Sequence, residues 1–64
     1  MPESSRSVIN RLQKEGWEKV DHKGSHTQWK HPDRPGRVTV PHPKKDLPKK
    51  TLKSIYVQAG WGKP

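Results

Sequence analysis

The residues best suited to chemistry fall in one run, Lys23-Gly24-Ser25-His26-Thr27-Gln28-Trp29-Lys30-His31. A Gly-Ser pair turns a chain, and the residues behind it alternate in character as a strand does. On a strand Thr27, Trp29 and His31 share one face, and His26, Gln28 and Lys30 share the other. Trp29 is the large apolar residue of the run, so its face belongs to a core and His26 projects into solvent. An imidazole held on a strand beside an amide and cations can take or give a proton near neutral pH. With Lys30 and Arg37 to hold a phosphate, such a group suits RNA cleavage, in which the substrate's own 2′-hydroxyl is the nucleophile. That chemistry needs a base, an acid and neutralised phosphate charge, and in principle no metal.

Other chemistries fit these residues less well. His22, His26, His31 and His42 invite a metal, but His26 and His31 lie an odd number of residues apart on one strand and so face opposite ways. The sequence has no cysteine, no HExxH and no close carboxylate pair, so neither a metal nor a cofactor is expected. Ser25 and His26 are adjacent, which keeps a nucleophile and its base from meeting, and Glu18 and Asp21 are the nearest acids; a protease-like arrangement is not expected. A separate group of cations, Lys44, Lys45, Lys49, Lys50 and Lys53, gathers around the start of a second helix. Lysines there oppose the helix dipole, at about 0.3–1 kcal/mol each. A phosphate attracted by the free N–H groups, the dipole and the ammonium groups together removes the conflict, so these lysines are assigned to RNA contact.

The elements that must position these groups can be read from spacing. Ser4 and Ser5 are both good helix caps, and Val8, Ile9 and Leu12 behind them share one helical face. Gly16 stops this helix, and Trp17 supplies the apolar contact that closes such an end. A strand over 18–23 has only Val20 to mark a buried side. After the Gly24-Ser25 turn comes a strand over 26–30, then a loop over 31–36 rich in Pro and Gly. In the third strand, 37–40, Val38 and Val40 point inward, and Arg37 and Thr39 outward. Two prolines make 41–47 a basic connector. Pro48 suits the first position of the second helix, where Leu52, Ile55, Tyr56 and Ala59 recur on one face. Val57 falls on the polar side, and Gly60-Trp61 repeats the ending of the first helix. The order α-β-β-β-α with one apolar sheet face predicts an α+β fold, two helices packed on one face of a three-stranded antiparallel sheet. The open face then carries His26, Gln28, Lys30, Arg37 and Thr39.

Size and charge bound the function. At 64 residues, a quarter of them hydrophobic and none cysteine, one domain with a thin core is expected, without disulfides to support it. Fourteen Lys and Arg against six Asp and Glu give a net charge of +8, a one-sided field that attracts polyanions, of which nucleic acid is the commonest in a cytosol. No stretch approaches the roughly 20 apolar residues of a membrane span, and no secretory segment is apparent, so a cytoplasmic protein without membrane contact is expected.

Several of these motifs occur together in one family. Gly16-Trp17, Lys23-Gly24-Ser25-His26 with Trp29 three residues on, His31-Pro32-Asp33, Val38-Thr39-Val40-Pro41-His42-Pro43, and Thr51-Leu52 through Ile55 to Ala59-Gly60 appear in the order found in HicA toxins. The chain resembles that family over nearly its whole length, as one toxin domain over 1–64. It departs in having Trp29 where Phe or Tyr is frequent, and a slightly longer segment over 33–37. The resemblance implies a fold like that of double-stranded-RNA-binding domains and activity as a ribosome-independent mRNA interferase. The family's key histidine falls on His26, with Gly24 as the motif glycine and Ser25 completing the turn. It also implies a HicB-like antitoxin as partner, for which the open face with His26 is the natural target. A non-catalytic module that binds structured RNA by shape is the alternative, and a basic adaptor for an acidic protein is a third reading.

Overall fold

The computed structural model describes residues 3–62. Helix α1 (Ser5–Lys14) is followed by strands β1 (Glu18–Lys23), β2 (His26–His31) and β3 (Arg34–Pro41), and by helix α2 (Lys49–Ala59). The strands form an antiparallel sheet in the order β1-β2-β3. Both helices pack on one face of it, as the α-β-β-β-α pattern predicts.

Ser4 is the cap of α1, its Oγ accepting the Ser7 N–H at 3.2 Å. Ser5, the other candidate, is buried in the first turn. At the far end Gly16, with φ of +95°, lets the chain reverse so that its own N–H donates to the Gln13 carbonyl and that of Trp17 to the Leu12 carbonyl. Trp17 is thereby folded into the core. Gly60-Trp61 makes the same pair of bonds, to Val57 and Tyr56. Trp61 instead stays half-exposed, edge-on to Tyr56 and 4.0 Å beneath the Arg11 guanidinium.

The core joins Val8 and Leu12 of α1 and Leu52, Ile55, Tyr56 and Ala59 of α2 to Trp29, Val38 and Val40 of the sheet. Thr27, buried beside them, donates to the Val40 carbonyl at 2.8 Å and accepts the Trp29 indole N–H at 2.9 Å, so the core's polar atoms are satisfied internally. Val57 is exposed, as its helical position predicts.

Four expectations need correction. Val20 does not face the core: it is 48% exposed, because the pairing jumps from Lys19↔Trp29 to Asp21↔Gln28 and leaves it as the extra residue of a bulge. The helices also contact the β3 side of the sheet, so every residue of β1 is exposed. Residues 31–36 are not a loop; His31 pairs with Arg34 across a Pro32-Asp33 turn. Pro35 is tolerated because β3 is an edge strand. The basic connector expected over 41–47 starts one residue later, because Pro41 belongs to β3, and its Leu47 is buried, the Leu47 N–H donating to the Glu3 carbonyl at 2.8 Å. Finally, Pro48 caps α2 from outside rather than starting it, with Leu52 N–H donating to its carbonyl.

Candidate functional site

His26 opens β2 immediately after the Gly24-Ser25 turn. Gly24 has φ of +58° and Ser25 does not share that conformation, the pattern of a two-residue hairpin loop with glycine in the first central position. Such a loop sets the register, pairing Lys23 with His26, while on the other side His26 pairs with Pro41. The Ser25 carbonyl accepts the His42 N–H at 2.6 Å, which ties the turn to the end of β3. His26 is exposed while its neighbours in the chain alternate as predicted, Thr27 and Trp29 buried and Gln28 half-buried. Among the described residues no side chain or backbone group engages either of its ring nitrogens.

The remaining histidines differ. His31 accepts the Asp33 N–H on Nδ1 at 3.0 Å, so its Nε2–H donates to the Glu15 carbonyl at 2.8 Å; its ring also packs on Trp17. It pins the end of α1 to the β2–β3 turn. His42 bonds the Ser5 hydroxyl through Nδ1 at 2.7 Å, and the same oxygen accepts the Lys44 N–H at 2.8 Å. It pins the connector to the start of α1. Sequence reasoning missed both jobs, and no local signal marks them, since the partners are 16 and 37 residues away. His22 is exposed on the edge strand opposite Thr27, on the other side of the sheet from His26. No group of three metal-ligating side chains forms among the described residues.

The predicted cations divide between two surfaces. Lys30 and Arg37 stand on the open face with His26, exposed. Gln28 lies between them and His26, its Oε1 accepting the Thr39 hydroxyl at 3.0 Å. Beyond Lys30 this face dips into a cleft of about 390 Å³, bordered by Val20, Pro32 and Pro35. Lys44 and Lys45 are exposed on the connector, where the Lys44 backbone bonds Ser5 at the start of α1. Lys49, Lys50 and Lys53 are exposed on the first turns of α2, which lies across the other face of the sheet. The structure therefore does not gather them around His26. The N-terminus of α2 has no side-chain cap and no acidic residue in its first turn, so its N–H groups and these lysines present one positive surface.

Away from the open face, a second polar network joins the termini of the described chain. The Tyr56 hydroxyl donates to Glu3, Trp61 Nε1–H donates to Glu15 at 2.7 Å, and Arg11 pairs with Glu15 at 3.3 Å. The hydrogen bond to Glu3, burial and the Glu3 charge raise the Tyr56 pKa above its usual 10.0, against a smaller opposing effect of Arg11.

Fold and surface together define a small, strongly basic α+β domain whose sheet keeps one face open around a histidine. The family model of the HicA toxin of bacterial toxin–antitoxin systems matches residues 5–61, and the chain belongs to the HicA toxin family. No curated protein matches the chain. It is accordingly the toxin of a toxin–antitoxin system, for which a HicB antitoxin is the general partner. Among the described residues no helix is long and apolar enough to cross a membrane.

Proposed function

We propose that this toxin is an mRNA interferase, a metal-independent endoribonuclease in which His26 is the principal general acid/base. The observation that carries this reading is the position of His26. It is the histidine held on a strand, exposed among cations on the open face, with neither ring nitrogen engaged by a described residue, whereas His31 and His42 are occupied in packing. Its imidazole takes the proton of a 2′-hydroxyl as that oxygen attacks the adjacent phosphorus. The bond to the 5′-oxygen breaks, leaving a 2′,3′-cyclic phosphate and a 5′-hydroxyl end. Gly24 and Ser25 set the turn that presents the imidazole. Lys30 and Arg37 hold the strand on the open face, and Lys44, Lys45, Lys49, Lys50 and Lys53 contact phosphates further along it. The chemistry requires no cofactor, because substrate and side chains supply the nucleophile, the proton acceptor and the compensating charge. A HicB-like antitoxin would silence the enzyme by covering the His26 face.

The test is His26→Ala, studied by circular dichroism and by RNA cleavage in EDTA. An exposed residue is expected to change stability by no more than about 0.5 kcal/mol. Loss of a general acid/base is expected to slow cleavage by about 10²- to 10⁴-fold. A folded variant that cuts at the wild-type rate would remove His26 from the chemistry. Wild-type protein that binds RNA tightly and never cuts it would establish the non-catalytic binding module instead.

A further inference from the structure

We infer that Lys23 grips the scissile phosphate beside His26 and neutralises the charge that develops on it. This rests on the reading of His26 as the cleaving group. Lys23 and His26 flank Gly24-Ser25 and are register partners, so their Cβ atoms lie about 5 Å apart on the same face of the sheet. A Cβ at Gly24 would meet nothing within 4 Å, so glycine is needed there for its φ of +58° and not for space. That conformation closes the hairpin in two residues, and the two-residue loop is what places Lys23 opposite His26. The motif glycine thus positions a cation as well as the histidine.

The other charges on this face are less well placed. Lys30 is four residues along β2, about 13 Å from His26 at strand spacing, and it stands opposite Glu18. Lys49, Lys50 and Lys53 belong to the other layer. Asp21 is the acid nearest Lys23 on the open face, but its carboxylate accepts the His22 N–H at 2.8 Å and faces the backbone. Among the described residues the ion pair formed is Arg11–Glu15, so no carboxylate occupies Lys23. An ammonium on a flexible stem and an imidazole on a strand thus start from paired positions, both open to solvent, within reach of one phosphodiester group.

In the step itself the 2′-oxygen bonds to phosphorus as the bond to the 5′-oxygen breaks. The 2′-hydroxyl proton passes to His26, and the 5′-oxygen takes a proton from water. Lys23 keeps its own protons and acts by charge on the non-bridging oxygens, where negative charge gathers in the transition state. A donor at such a place is typically worth up to about 10²- to 10³-fold in rate.

The experiment compares Lys23→Gln, Lys23→Arg, Lys49→Gln and His26→Ala in steady-state cleavage of one short RNA, each variant first shown to be folded by circular dichroism. Lys23→Gln is expected to lower kcat by about 10²-fold or more. Lys23→Arg should recover most of that loss, and Lys49→Gln should change KM alone. If Lys23→Gln cuts normally, or only raises KM, while His26→Ala is inactive, the inference is overturned and the His26 reading stands. If Lys23→Arg is no better than Lys23→Gln, the charge role is refuted. If His26→Ala is fully active, the underlying reading fails and the inference falls with it.

Discussion

Replacing Thr27 by valine separates stability from chemistry at the residue next to His26. Thr27 is 2% exposed, and its hydroxyl holds two partners, the Val40 carbonyl at 2.8 Å and the Trp29 indole N–H at 2.9 Å. Valine fills nearly the same volume and serves neither. The indole N–H is then buried without an acceptor, at about 1–3 kcal/mol, and the loss of the bond to Val40 adds about 0.5–1.5 kcal/mol. The extra buried methyl group returns about 0.8 kcal/mol. The net cost is about 2 kcal/mol, a large share of the roughly 3–10 kcal/mol that a domain of this length can have. At about 4–8 °C per kcal/mol for so small a domain, the thermal midpoint should fall by about 8–16 °C. Thr27→Ser keeps both bonds and should lose appreciably less. The assay is a thermal melt followed by tryptophan fluorescence, paired with RNA cleavage at a temperature where all variants are folded. Because the Thr27 side chain points away from the open face, the folded valine variant should cut at close to the wild-type rate. A midpoint unchanged from wild type would show that the Thr27–Trp29 bond contributes nothing. A fully folded variant that no longer cuts would mean that the two faces of β2 are not independent.

The lysines on the connector and on α2 should make RNA binding strongly salt-dependent, and Lys49→Gln with Lys50→Gln should flatten the logarithmic salt slope by about 0.7 for each lost contact to a single strand; an unchanged slope in anisotropy titrations would place the RNA elsewhere. A HicB-like antitoxin bound over His26 should abolish cleavage and raise the thermal midpoint, since a ligand of the folded state stabilises it; a complex with full nuclease activity would sink the occlusion idea. Tyr56 is the single tyrosine of the chain, so its alkaline titration can be followed by ultraviolet absorbance. Its pKa is raised in the folded protein, so the stability contributed by its bond to Glu3 is complete below pH 10 and is lost as the pH rises through the higher folded value. Glu3→Gln should bring the midpoint back toward 10.0, and a wild-type titration already at 10.0 would refute the interaction.

Local rules made much of the fold and the central residue legible. The caps at Ser4 and Gly16, the helical spacing of Val8 and Leu12, and the two-residue periodicity of Thr27 and Trp29 are properties of neighbouring residues, so they hold whatever the rest of the chain does. Strand parity alone put His26 outward, because a buried tryptophan three residues along the strand leaves His26 only the opposite face. The hairpin arithmetic that pairs Lys23 with His26 was equally available from the Gly-Ser turn. What depended on tertiary structure were the features whose partners lie far along the chain. Val20 looked like a core residue, but the bulge that turns it outward arises from how β1 meets β2, and the helices pack mainly against β3. Residues 34–36 read as loop because of Pro35 and Gly36, yet their strand is allowed once β3 is known to lie at an edge, where a missing N–H costs no ladder bond. The structural roles of His31 and His42 likewise depend on Glu15 and Ser5 being brought to them from far along the chain. The sequence marks the α2 lysines as a cationic group apart from His26 but does not say which layer they occupy, and the sheet stands between the two: composition registers how much charge a chain carries, and only packing decides which surface receives it.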